Sequence, residues 1–74
     1  MKITTILKIY DVLKEEGYET IIKVHHYKSF AFISLEFHKG RYRETLFSKS
    51  QKSKYVYQKL NGKLFRNLEI KESK

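Results

Sequence analysis

Between residues 19 and 48 apolar and polar side chains alternate, and no proline interrupts them. A period of two belongs to strands that bury one face, so this stretch commits the chain to a sheet. Residues 20–27, 30–38 and 41–48, joined at Lys28-Ser29 and Lys39-Gly40, read as a three-stranded antiparallel meander. If Lys39-Gly40 is a two-residue turn, Phe37 faces Tyr42, Glu36 faces Arg43, Ile33 faces Leu46 and Phe32 faces Phe47. If Lys28-Ser29 is another, Val24 faces Ile33 and Ile22 faces Leu35. Both registers put Ile22, Val24, His26, Ala31, Ile33, Leu35, Phe37, Tyr42 and Leu46 on one side. A one-residue slip would turn that whole set to water, so their agreement selects the inner face. Lys28-Ser29 lacks Gly or Asn, which leaves a longer turn open there.

Something must cover that face, and residues 3–16 supply it. At 100° per residue Ile3, Ile6, Leu7, Ile9, Tyr10 and Leu13 share one side of a helix, with Thr4, Lys8, Asp11 and Glu15 opposite and Val12 out of place. Thr4 or Thr5 is the expected cap, and Gly17 the left-handed stop, with Tyr18 folding back onto Leu13. Residues 48–54 hold no apolar side chain and read as a flexible basic loop. Beyond it, Asn61-Gly62 between two apolar runs favours a C-terminal hairpin. The competing reading is a short helix over residues 54–60, capped by Ser53 and stopped at Asn61 or Gly62, followed by a strand. The expected class is α+β: one helix on an antiparallel sheet, in a single domain spanning residues 1–74.

With 74 residues and no cysteine, the core is small and has neither disulfides nor thiolate-bound metal to staple it. Self-association, most simply a homodimer, is therefore expected. The longest apolar run, Phe30-Ala31-Phe32-Ile33, is too short for a signal sequence or a membrane span, so a soluble cytoplasmic protein is expected. The net charge of +8 is unevenly spread. Residues 1–22 balance at −1 and residues 23–74 at +9, the electrostatic footprint of a polyanion binder.

The outer face of the meander interleaves rings with bases. Tyr27, Phe30, Phe32 and Phe47 form a stacking platform, while Lys23, Arg41, Arg43 and the loop lysines Lys49, Lys52 and Lys54 track phosphates. Such a face can instead be covered by the C-terminal segment, through Tyr55, Tyr57, Leu64, Leu68 and Ile70, or by a second copy. Nucleic-acid binding without catalysis is the leading expectation.

Chemistry has little to work with. His25 and His26 are strand neighbours and point to opposite faces. His38 shares His25's face but lies six residues along, roughly 20 Å at about 3.3 Å per residue. No metal ion, cofactor or small-molecule substrate is expected. A short helix, Gly17-Tyr18, and the step His25-His26-Tyr27 loosely resemble the HicA-type RNase toxins. That resemblance implies His25 or His26 as general base, although Lys23-Val24 stands where that family carries Gly-Ser.

Length and a Lys- and Ile-rich composition without Pro, Cys or Trp look similar to the early host-takeover proteins of phages infecting low-GC bacteria. That group includes blockers of the sliding clamp and of RNA polymerase. The likeness implies a host replication or transcription protein as partner. The acidic group Asp11, Glu15, Glu16 and Glu19 would enter the partner's DNA-binding channel in place of phosphates.

Overall fold

A computed structural model of the protein describes residues 1–63, 65 and 67–73, with 71–73 through their backbone alone. Helix α1 (Ile3–Glu15) buries Ile3, Ile6, Leu7, Tyr10 and Leu13, leaves Ile9 half-buried and exposes Val12. Each fully buried aliphatic is worth about 1.5–3 kcal/mol over leaving it in water. The helix starts at Ile3, as its apolar spacing predicts, and its cap residue lies two or three positions ahead of the expected threonines. Lys2 is the cap residue and no side chain caps the end, because burying Ile3 draws the first turn back toward Met1. It stops as the sequence predicts. Gly17 has φ +85°, its N–H donates to the Lys14 carbonyl at 3.2 Å, and the Tyr18 N–H donates to the Leu13 carbonyl at 3.0 Å. Those paired bonds define a Schellman stop.

Strands β1 (Glu19–Tyr27) and β2 (Phe30–Lys39) pair in the register that a two-residue turn at Lys28-Ser29 predicts, Val24 opposite Ile33 and Ile22 opposite Leu35. The turn is two residues long, and Lys28 takes φ +54° at its first position. Strand β3 (Tyr42–Phe47) departs from expectation. The turn centres on Gly40-Arg41, so Phe37 faces Glu44 and Leu35 faces Leu46. The cause is local: a tight hairpin wants positive φ at its first central residue, and Gly40, at φ +60°, supplies it there. The slip is two residues, so every side chain keeps its face.

The basic stretch is an edge. After Phe47 the chain continues along β2 as the two-residue strand β4 (Gln51–Lys52), facing Ala31 and Phe30. The register moves by one residue between the Ser34–Phe47 and Ala31–Gln51 pairs, which marks a bulge at residues 48–50. Ser48 closes it. Its N–H donates to the Ile33 carbonyl at 2.9 Å, while its Oγ accepts the Ile33 N–H at 2.9 Å and donates to the Lys49 carbonyl at 3.1 Å. The Lys49 N–H donates to the Met1 carbonyl at 2.8 Å, which ties the bulge to the start of α1.

Residues 53–60 form a helix, α2 (Ser53–Leu60), not the first arm of a hairpin. Val56 and Leu60, one helical turn apart, enter the core, with Tyr57 packed beside them. Asn61-Gly62 ends this helix instead of turning a hairpin: the Asn61 N–H donates to the Tyr57 carbonyl at 3.0 Å, and Gly62 sits at φ +79°. Strand β5 (Leu68–Ser73) then pairs parallel to β1, Ile22 opposite Leu68. The sheet order is β3-β2-β1-β5, with β4 beside β2.

The architecture is therefore α+β, an N-terminal helix and a short second helix on one side of a mostly antiparallel sheet. Both helices share one core cluster with Ile22, Val24, Ala31, Ile33, Leu35 and Phe37. At its rim His26 and Leu46 are half-buried and Tyr42 is exposed. Among the described residues no helix is long and apolar enough to cross a membrane.

Candidate nucleic-acid interface

With both helices on one side, the other side of the sheet is left without cover by the described residues. The C-terminal segment does not supply it: Tyr57 packs on the core, Leu68 and Ile70 share the face of Ile22 and Val24, and Tyr55 lines a cleft at the start of α1. Leu64 lies outside the described residues.

Three rings cross the open face from strand to strand. His25 on β1 stacks on Phe32 of β2, centroids 4.6 Å apart and planes 8° from parallel. Phe32 in turn lies 6.4 Å from Phe47 of β3. Between them sits Ser34, buried despite facing outward. Its strand partners Lys23 and Phe47 flank it, and its Oγ is 2.9 Å from His25 Nε2. A small residue there lets the rings close over the backbone, and the hydroxyl fixes the imidazole's tilt. Tyr27 and Phe30 extend the ring series at the β1–β2 turn, 48% and 50% exposed, and Phe47 is 56% exposed. A ring half open to water on a sheet surface is available for a planar partner.

Charge on this face has a layout of its own. In the middle Lys23 Nζ pairs with Glu36 Oε1 at 3.3 Å and lies 4.0 Å from Glu69, so the centre carries one more carboxylate than ammonium. The basic excess sits at the two ends. Lys28, whose ammonium rides 5.5 Å from the Tyr27 ring centroid, and Lys52, opposite Phe30, stand at one end. Arg43, opposite His38, and Arg41 in the turn stand at the other.

Phe30, Phe32, Phe47, Lys23, Arg43 and Lys52 thus gather on one face, with Arg41 at its rim. Two of the loop lysines do not join them. Lys49 lines a cleft with Lys2, Ile3 and Tyr55 at the start of α1. Lys54 lies in α2 and borders an open groove of about 570 Å³ with Tyr57, Leu60, Leu68 and Ile70. The bulge at residues 48–50 and the onset of α2 separate them, and neither shows in the polar run itself. His25 is the member of the ring series that residue type alone leaves out. Its signal is the register, which sets it opposite Phe32.

The acidic group is more dispersed. Asp11 Oδ2 is held by Lys63 Nζ at 2.8 Å, Glu15 closes α1, Glu16 is its cap residue, and Glu19 opens β1 opposite His38. The histidines sit on opposite faces, His26 Nδ1 lying 3.4 Å from the Tyr57 hydroxyl on the helix side. At the sheet's rim the Tyr42 phenol donates to Glu44, and that bond together with the carboxylate's charge holds the phenol above its ordinary range. Among the described residues no three metal-ligating side chains converge. No family model matches the chain, and neither a curated protein nor a solved structure matches it.

Proposed function

We propose that this protein binds single-stranded nucleic acid, without catalysing a reaction, on the sheet face opposite its helices. The observation that carries this reading is the ring series His25–Phe32–Phe47 on an uncovered face, prolonged by Tyr27 and Phe30. Unpaired bases stack on such rings at about 1–3 kcal/mol each, whatever their sequence. Phosphates on either side meet Lys28 and Lys52 at one end and Arg41 at the other. A duplex keeps its bases inside and offers nothing to these rings, so single strands are the preferred form.

The test is fluorescence anisotropy with labelled ten-residue DNA and RNA single strands across a salt series. The Phe32→Ala/Phe47→Ala double variant is expected to bind at least tenfold more weakly. Lys28→Ala/Lys52→Ala is expected to flatten the dependence of log affinity on log salt by about 1.4, at roughly 0.7 per single-strand phosphate released. No binding by the wild type in 50 mM salt would refute the reading, as would a ring-deleted variant that binds as well as the parent.

A further inference from the structure

The same face holds a recess away from the rings, toward the β2–β3 turn. It encloses about 180 Å³ and is lined by Ile21, Glu36, Phe37, His38, Arg43 and Thr45. Ile21, Glu36 and Thr45 are cross-strand partners in one row, and His38 and Arg43 form the next row on β2 and β3. Phe37 turns its ring to the core, so its contribution here is backbone. The volume equals roughly six waters at about 30 Å³ each, and drug-sized ligands take about 300–1,000 Å³. One planar base is the right scale.

The lining chemistry narrows the choice further. Glu36 places a carboxylate in the recess, which disfavours a phosphate there. Lys23, one row outside the recess, bonds Oε1 at 3.3 Å and fixes the Glu36 side chain. A carboxylate offers two acceptor oxygens side by side, and they are best met by two adjacent N–H donors. Among the four common bases only guanine has such an edge, at N1 and N2. Guanine's other edge carries the acceptors O6 and N7, which a guanidinium meets with two bonds. Arg43 lines the recess from the neighbouring strand β3, one row along from Glu36. Ile21 supplies the apolar floor for the ring.

We propose that this recess is a guanine-reading subsite, with Glu36 accepting from guanine N1 and N2, and Arg43 donating to O6 and N7. The inference rests on the nucleic-acid reading: the rings hold neighbouring bases without preference, and the recess selects one.

The experiment uses the full chain and octathymidylate or oligouridylate in which one central residue is replaced by guanine, adenine or hypoxanthine. Hypoxanthine keeps N1–H, O6 and N7 but lacks the N2 amino group. The guanine strand is expected to bind at least tenfold more tightly than the adenine strand, with the hypoxanthine strand between them. Glu36→Gln is expected to reduce the guanine-over-adenine ratio to within twofold, while the lost negative charge and the freed Lys23 raise the affinity of all strands together. The base series is read on the wild type, so it stands even if that variant folds poorly. Tight but equal binding of all three strands would overturn the guanine subsite and leave the general reading intact. No binding of any strand would overturn both.

Discussion

Ser48 shows how much one hydroxyl can decide. It stands where the edge strand leaves β2, and its backbone carbonyl does not receive the Ile33 N–H. The side chain takes that bond at 2.9 Å, beside a residue with no exposed surface. An amide stranded in such a place costs about 1–3 kcal/mol. Ser48→Ala keeps the volume and removes the acceptor, so it is expected to lower unfolding stability by about that amount in urea titration. The Ile33 amide should also lose its protection from hydrogen exchange. A variant with an unchanged midpoint would mean that the Ile33 amide finds another partner. From the sequence, Ser48 is one of seven polar residues in a row with nothing to single it out. Its role exists only because β2 runs alongside.

The elements that read correctly are those whose neighbours are close in the chain. A two-residue turn at Lys28-Ser29 fixes the β1–β2 register within the parity that the alternation allows, and Leu13, Gly17 and Tyr18 mark the end of α1. The β2–β3 register was off by two because an even slip leaves every side chain on the same face, so the hydrophobic pattern cannot report it. Only the φ demanded of Gly40 distinguishes the registers. Asn61-Gly62 was ambiguous for a related reason, since positive φ serves a hairpin turn and a helix stop equally. What decides is Val56 and Leu60 meeting the core at helical spacing, a fact about α1 and β2 rather than about α2. For the site, parity alone put Phe30, Phe32, Phe47, Lys23 and Arg43 together, while the recess around Glu36 needed the third strand's register. The β1–β2 turn offers a test at this scale. Lys28 adopts φ +54°, which costs an ordinary residue about 1–2 kcal/mol and asparagine less. Lys28→Asn is expected to raise unfolding stability by several tenths of a kcal/mol, read as a higher urea midpoint. A lowered midpoint would mean that the 5.5 Å contact of Lys28 with Tyr27 outweighs the backbone relief.

Across the whole molecule, the fully buried apolar side chains among the described residues lie between Ile3 and Leu60. Strand β5 adds none, and its Leu68 and Ile70 stay 44% and 54% exposed. Its service is to the sheet. It pairs with β1 from Ile22 to Tyr27, the Asn67 carbonyl accepts the Ile22 N–H at 3.1 Å, and Phe65 meets Tyr10 edge-on at 5.3 Å. Without it β1 becomes an edge, and a row of unpaired amides beside Val24 and Ile22 is a template for another chain. Each backbone bond lost costs about 0.5–1.5 kcal/mol net, and the ring pair a similar amount. A chain ending at Lys63 is therefore expected to unfold cooperatively at lower urea and to self-associate as concentration rises, read by sedimentation velocity. Because the ring series lies on β1, β2 and β3, the dilute monomer should still bind single strands. If the shortened chain is unfolded throughout, β5 belongs to the minimal folding unit. If it is folded and monomeric at every concentration, protection of the β1 edge does not depend on β5.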